Sequence, residues 1–318
     1  MIGRMSSDQI HQSGLDVILD AQKKLSRTQE ELASGKRLLT PADDPVATAQ
    51  IQSIRSELSR IETMQSNISR ASSELAMVED SVANVEGLLM RARELAVRGA
   101  NDSLSLQDRE IIATEIDALR EQLIAAANTQ SSDGDYIYAG YAVSAAPYTD
   151  ATVNATYAGD TGVRAINIAP GLTVNTRFAG EAVFGQGSAA TGQLNAFEAL
   201  AVLSAGLRGN ASAAITSLTN NGNAVTQDEA INISMQALDT NLETVRSVRT
   251  QLGVRMNRVD DQQALNANFN VRLQETLSGL EDLDYTKAIT EMNLQMVALE
   301  AAQKAYTKTQ SLSLFNYL

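Results

Sequence analysis

Cysteine and tryptophan are absent from this chain of 318 residues, proline occurs only four times, and aromatic residues make up 4%. Without cysteine there is no disulfide framework and no thiolate chemistry. So few aromatic side chains cannot fill a thick globular core, because these residues supply the largest buried areas. The composition instead favours helices that pack along thin seams of alanine and leucine.

Positive charge is also in deficit, and the formal net charge is −13. This acidity argues against nucleic acid as a partner. No stretch approaches the ~20 apolar residues that a membrane-spanning helix needs. The first residues carry Asp8 and Asp16 and lack the apolar run of a secretory signal. We therefore expect no nucleic acid partner, no membrane partner and no Sec-type export.

Residues that carry catalytic chemistry are sparse. His11 is the only histidine, and the HExxH, CxxC and Walker-type patterns are missing. Acidic residues gather at Asp43-Asp44 and at Glu281, Asp282 and Asp284, but no further ligand type accompanies them. Helix capping is the favoured interpretation for both groups. The sequence predicts a protein that is not an enzyme and holds neither a metal ion nor a cofactor.

The longest periodic stretch runs from Thr226 to Leu280 and predicts one very long amphipathic helix. Its apolar residues recur at spacings of three and four, and Arg249 alone interrupts the row. A second long helix is predicted from Pro45 to Arg98, with Asp44 as its N-cap. A narrow apolar seam on such helices requires partner helices along their length.

A third helix, from Ser105 to about Asn128, begins with a capping-box-like sequence and should fold back antiparallel on the second. The bundle seam is predicted at Ile51, Ile54, Leu58, Ile61, Leu238, Leu242, Val245 and Leu252. In the second helix, the spacing Ser72–Leu75–Val78 departs from the heptad and is interpreted as a stammer.

Each end of the chain carries a helix whose apolar positions alternate with polar ones. The N-terminal pattern spans Leu15 to Leu39, with Gln22, Gln29 and Lys36 between the leucines, and the C-terminal helix begins about Tyr285. Polar seam positions weaken an isolated helix, so we expect the two ends to pair antiparallel and to become ordered on assembly. The predicted assembly interface consists of Leu15, Ile18, Leu25, Leu32, Ile289, Met292, Met296, Leu299, Tyr306, Leu314 and Phe315.

Between the helical halves, residues 135–220 show a different pattern. Short β-rich segments separated by glycine or proline are predicted at Tyr136–Tyr138, Thr152–Val153, Val163–Ile168 and Leu172–Phe178, before helices at Leu194–Leu207 and near Ala211–Leu218. We expect an inserted outer α+β domain that is dispensable for assembly. The fold class is thus mainly α: a long antiparallel helical bundle or coiled coil with terminal helices and a small inserted β-containing domain. The predicted domains are 1–44 with 281–318, 45–134 with 221–280, and 135–220.

Three ordered blocks give the chain a family resemblance. Ser34-Gly35-Lys36-Arg37 followed by Ala42-Asp43-Asp44-Pro45 resembles the N-terminal motif of the flagellin family, and the block Glu94–Asn101 resembles the next one. Asp282-Leu283-Asp284-Tyr285 with the five residues after it resembles the C-terminal signature. The resemblance covers about 1–140 and 220–318.

The resemblance implies a structural subunit of the bacterial flagellum that is exported through the flagellar type III apparatus. Its implied partners are copies of itself, a hook-associated adaptor protein, flagellin and an export chaperone. Tyr136–Gly140 and the ending Leu314–Leu318 favour a subunit that joins the hook to the filament. A small flagellin that forms the filament itself remains the alternative, and a secreted coiled-coil tether or adhesin is a further one.

Overall fold

The computed structural model describes residues 7–149, 156–187, 193–209 and 226–315, and the side chains of residues 12–308 within those ranges. The predicted strand at Thr152–Val153 and the predicted helix near Ala211–Leu218 lie outside the described residues. So do the side chains of Leu314 and Phe315.

Long helices make up most of the described chain, which confirms the predicted fold class. In chain order the described helices, both long and short, are α1 (Ser7–Ser34), α2 (Pro45–Gly99), α3 (Leu106–Ala127), α4 (Gly180–Phe184), α5 (Ala196–Leu207), α6 (Gln227–Glu281) and α7 (Tyr285–Phe315). Helices α2 and α6 contain 55 residues each. The sequence placed the boundaries of both to within one residue.

Capping side chains set several of these boundaries. Asp44 accepts a hydrogen bond from the Ala47 amide at 3.0 Å, so the predicted N-cap of α2 is confirmed. Ser105 and Asp108 form a complete capping box at the start of α3. In each case a carboxylate or hydroxyl oxygen satisfies an amide that the first helical turn leaves unpaired.

Within the described residues, the β structure consists of two small antiparallel strand pairs. Strand β1 (Tyr148–Thr149) pairs with β2 (Thr156–Tyr157), and β3 (Ala165–Ala169) pairs with β4 (Leu172–Asn175). Strands β3 and β4 coincide with predicted segments. The predicted strand at Tyr136–Tyr138 is wrong: it forms only an isolated bridge between Gln130 and Tyr136. Ile137 and Tyr138 are instead buried as core side chains.

The chain divides into two compact units. The first unit contains residues up to Ile61 together with those from Ala267 onward, and the second contains Glu62–Asn266. The three-part division expected from the sequence stays a prediction.

One hydrophobic core fills the second unit and includes side chains from α2, α3, α5, α6 and the β region. Tyr138, Phe184 and Phe197 are fully buried in it. The Tyr148 ring lies 4.7 Å from Phe197 and 5.3 Å from Phe184 between centroids. The described residues between Asp135 and Leu207 therefore share a core with the helices, rather than forming a core of their own.

The heptad spacing of α2 continues where the sequence predicted a stammer, so that prediction is wrong. The buried positions are Ile68, Ala71, Leu75 and Val78, at regular spacings of three, four and three, whereas Ser72 is half-buried. Ala71 thus occupies the seam position that the sequence pattern assigned to Ser72. A small apolar residue was overlooked because the pattern was traced through larger side chains.

Candidate assembly interface

The terminal helices α1 and α7 pack against each other along the first unit. A Cβ atom added to Gly14 would lie 2.8 Å from the Tyr306 ring, and one added to Gly35 would lie 2.8 Å from the Tyr285 hydroxyl. The two helices are therefore antiparallel, and the numbers of opposing residues add to about 320 at both ends. Leu25 lies level with Gln295, within the predicted Met292–Leu299 region, whereas Leu32 lies level with Ala288.

The seam between α1 and α7 is built from alternating large and small residues. On α1 the less exposed positions are Gly14, Ile18, Ala21, Leu25, Thr28, Glu31 and Leu32, followed by Gly35 just beyond the helix, and on α7 they are Ala288, Met292, Gln295, Leu299, Ala302 and Tyr306. The sequence pattern placed the polar seam positions one residue later than these small residues. Gln22, Gln29 and Gln303, which occupy such predicted positions, are exposed. Small side chains occupy the seam because they let two helix backbones approach closely.

Part of the predicted assembly interface is left uncovered by this pairing. Leu15 is 46% exposed, Ile289 46% and Met296 42%, while Ile18, Leu25, Leu32, Met292, Leu299 and Tyr306 are half-buried in the seam. Val17, Leu294 and Val297 were not predicted, yet each is at least 59% exposed. Val17 and Leu294 directly precede the seam residues Ile18 and Gln295, and this helical position was the sequence signal that would have identified them.

A groove of about 470 Å³ runs between the two helices on one face of the pair. Its lining comprises Val17, Asp20, Ala21 and Lys24 from α1 and Glu291, Leu294, Gln295 and Ala298 from α7. The floor is apolar and the rim carries both signs of charge. Leu15, Ile289 and Met296 are absent from this lining, and the 3.6-residue period places them across the seam from it.

The motif residues near Gly35 and Asp282 form a joint that holds the ends of four helices. Lys36 and Asp282 make an antiparallel bridge, and the Leu283 amide donates to the Gly35 carbonyl at 3.0 Å. Gly35 has a φ of 71°, a left-handed conformation that favours glycine and ends α1. The heptad spacing was followed to Leu39, but the sequence Ser34–Arg37 was expected to end or loosen the helix, and α1 ends at Ser34.

Charges reinforce the joint. The Glu281 carboxylate is almost buried and accepts hydrogen bonds from Lys36 and, at 2.7 and 2.9 Å, from Arg55. Arg37 donates to the Leu280 carbonyl at 3.0 Å, where the C-terminal end of α6 carries unpaired acceptors. Asp284 accepts from the Lys287 amide and caps α7. Acidic residues that could suggest a cation site are thus used as caps and ion pairs.

We predict that Glu281→Gln removes an acid-sensitive part of the stability of the first unit. Lys36 and then Arg55 hold the pKa of Glu281 below its ordinary value of 4.5. A carboxylate with a lowered folded-state pKa stabilises above its unfolded pKa, and that contribution is lost as pH falls from about 4.5 through the folded value. Urea unfolding at pH 7 and pH 3.5 should show a smaller pH difference in the variant. Glu291→Gln, on the exposed rim of the groove, serves as the control, and equal pH differences in both variants would contradict the assignment.

The predicted bundle-seam residues are distributed over both units. Leu238, Leu242, Val245 and Leu252 are buried in the core of the second unit. In the first unit Ile51 and Ile61 are buried, whereas Ile54 and Leu58 are half-buried. In the part of the chain that the structure describes, no group of three acidic or histidine side chains lies where it could hold a metal ion. No helix within those ranges is long and apolar enough to cross a lipid bilayer.

Two 55-residue helices, a core of thin helical seams and paired chain ends define a coiled-coil structural protein. Comparison with models of known families identifies the family within this class. Residues 6–143 match the bacterial flagellin N-terminal helical region, and residues 235–318 match the bacterial flagellin C-terminal helical region. The chain belongs to the bacterial flagellin family.

Relatives within this family fall into two groups. Flagellar hook-associated protein 3 of Escherichia coli strain K12 is 26% identical and aligns over 98% of both chains. A flagellin of Listeria innocua is also 26% identical, over 84% of this chain and 82% of its own. The crystal structure of hook-associated protein 3 from Legionella pneumophila has a TM-score of 0.61 at 19% identity and covers 72% of this chain and 98% of its own. That structure shows that the fold is shared.

Proposed function

We propose that this chain is a structural subunit of the bacterial flagellum that joins the hook to the filament, with α1 and α7 as its assembly element. The observation that carries this proposal is the alignment with a hook-associated protein 3 over 98% of both chains, which includes both paired ends. The alignment with a flagellin leaves about a sixth of this chain unmatched. A filament subunit is therefore the second candidate.

The exposed apolar side chains of the terminal pair give the assembly its physical basis. Leu15, Val17 and Leu19 on α1, with Leu294 and Val297 on α7, are between 46% and 66% exposed. Neighbouring copies that cover these side chains gain about 25 cal/mol for each Å² of apolar surface buried. The helical pairing within one chain leaves that gain unused.

The two faces of the pair are different, which determines how copies would join. One face carries the groove with Val17 and Leu294, and the opposite face carries Leu15, Ile289 and Met296. A copy that packs its second face into the groove of the next makes a heterologous contact. Contacts of that kind close into a ring or continue as a helix.

The remaining parts of the proposal follow from this role. The protein is exported with a flagellar chaperone, acts outside the cell, and contacts a hook-associated adaptor on one side and flagellin on the other. It binds neither nucleic acid nor membrane and works without a cofactor. Its function is mechanical rather than enzymatic.

Deletion of the gene tests the role directly. Cells without the chain should carry hooks that lack filaments and should release flagellin into the medium, and a plasmid copy should restore filaments and swimming. Filaments that still grow on hooks in the deletion strain would overturn the junction role. Hooks without filaments but with no released flagellin would favour the filament-subunit alternative.

We predict that Val17→Gln combined with Leu294→Gln abolishes incorporation but leaves the isolated protein folded. Both side chains line the groove and are mostly exposed, so the melting temperature should stay within about 1–2 °C because surface substitutions change stability little. The control is Val254→Gln, a 57% exposed valine on α6 in the second unit. Swimming and hook-tip binding are measured. Normal motility of the groove variant would show that this face is not an assembly surface.

A further inference from the structure

A stripe of opposite charges joins α2 to α6 within the second unit. Glu86 accepts from Arg246 at 3.0 Å and from Arg249 at 2.7 Å. One heptad further along α2, Arg93 pairs with Asp239. Arg249, the residue that interrupts the apolar row of α6, also contacts Glu79 at 2.6 Å. These contacts run in opposite directions along the two helices, so α2 and α6 are antiparallel here.

The apolar seam alone does not fix how far one helix is shifted along the other. On α2 the buried positions Val78, Val82, Val85 and Leu89 follow spacings of three and four, and on α6 Leu238, Leu242, Val245 and Leu252 follow the same period. A shift of seven residues brings apolar positions opposite apolar positions again. Coiled coils with such repeats need other residues to specify their register.

Four of the charges do not repeat in this way, although Glu79 repeats the sign of Glu86. Glu86 and Arg93 are seven residues apart and opposite in sign, and so are Asp239 and Arg246. A seven-residue shift in one direction places Arg93 opposite Arg246. A shift in the other direction places Glu86 opposite Asp239. Each shifted register loses the pairs Glu86–Arg246 and Arg93–Asp239 and creates a like-charge pair, and the second regains only one attraction, between Glu79 and Arg246. Both alternatives are therefore disfavoured.

We infer that Glu86, Arg93, Asp239 and Arg246 select the register of α2 against α6. The inference concerns folding of the second unit and does not depend on the flagellar role. The register matters because it decides which side chains of α2 and α6 meet in the core of this unit.

Glu86 is the most discriminating member of the set. It is only 9% exposed, whereas the side chains of Arg93, Asp239 and Arg246 are each at least half exposed. An exposed pair contributes little because water screens it, but a buried carboxylate left beside another carboxylate loses its compensation. The hydrogen bonds from Arg249 and Arg246 hold the pKa of Glu86 below its ordinary value, as expected for a carboxylate that is paired while buried.

The absence of cysteine permits a direct measurement of register. Ala76→Cys on α2 and Gln236→Cys on α6 introduce two exposed positions for spin labels, with no competing thiol in the chain. A seven-residue shift moves one label along the other helix by about 10 Å. Pulsed electron paramagnetic resonance on the full chain, refolded from denaturant, reports the distribution of label distances.

Three sets of charges are compared in an Arg249→Gln background, where Arg246 is the remaining partner of Glu86. The first set is unchanged. The second exchanges the charges of α6 alone through Asp239→Arg and Arg246→Asp, and the third adds Glu86→Arg and Arg93→Glu. A neutral variant replaces the α6 pair by Asp239→Asn and Arg246→Gln, which removes attraction without adding repulsion.

The unchanged set and the fully exchanged set should each give the single native distance, whereas the neutral variant, which keeps none of these pairs, should add a population displaced by about 10 Å. The α6 exchange should lose the native distance, either to one displaced by about 10 Å or to no defined distance. Three results would overturn the inference: the native distance persists in the α6 exchange, it fails to return when α2 carries the matching exchange, or the neutral variant keeps the native distance alone.

Discussion

Leu242→Asp lowers the free energy of unfolding of the second unit by at least about 4 kcal/mol, because it combines a lost buried side chain with a buried carboxylate. Leu242 is 4% exposed and lies in the shared hydrophobic core. At about 2–4 °C for each kcal/mol in a domain of this size, the melting temperature should fall by roughly 10 °C or more. Calorimetry and urea titration of the isolated protein measure both quantities.

Val254→Asp is the matched control, since Val254 lies on the same helix but is 57% exposed. It should change the free energy of unfolding by no more than about 0.5 kcal/mol. Leu58→Asp in the first unit should have an intermediate effect, because Leu58 is half-buried. If Leu242→Asp and Val254→Asp melt at the same temperature, the seam of α6 does not face the core.

Removal of residues 135–207 is expected to abolish the cooperative unfolding of the second unit. The sequence pattern predicted that the inserted region is dispensable for assembly, but Tyr138, Phe184 and Phe197 are fully buried against side chains of α2, α3 and α6. A deletion exposes the helical surface that these rings cover. We therefore expect a protein that fails to incorporate because its helices no longer pack, which is measured by near-ultraviolet circular dichroism and calorimetry.

Point variants separate loss of packing from loss of chain length. Phe184→Ala and Phe197→Ala should each cost about 3–5 kcal/mol, the range for a large aromatic side chain removed from a core. Tyr141→Ala, at a 69% exposed position in the same region, should cost far less. A deletion protein that unfolds as cooperatively as the intact chain would show that the region folds separately.

Features encoded by neighbouring residues were predictable. The Asp44–Pro45 and Ser105–Asp108 caps placed the starts of α2 and α3, since a cap requires only a side chain within three residues of the amides it satisfies. The regular apolar spacing gave the length of α6, and the motif at Asp282–Tyr285 gave the start of α7. The antiparallel direction of the terminal helices followed from the order of the helices along the chain.

The choice of seam positions was not predictable, because adjacent residues compete for the same contact. Leu15 follows Gly14, and Met296 follows Gln295; the larger apolar member of each pair fits a heptad, yet it is the other member that faces the partner helix. The outcome depends on how closely the two backbones approach. A single sequence does not state that distance.

By itself, the sequence determined the lengths of α2, α3 and α6, the caps of α2 and α3, and the family, since local hydrogen bonds and periodicity carry that information. It did not determine the start of α1, which begins at Ser7 rather than near Leu15. Only the tertiary structure decided that the inserted region shares the helical core and that Glu281 meets both Lys36 and Arg55. It also decided which apolar side chains of the terminal pair stay exposed. These features depend on residues far apart in the chain, from 57 positions for Tyr138 and Ser81 to 226 for Arg55 and Glu281. Such contacts are fixed by the packing of whole helices rather than by any local preference.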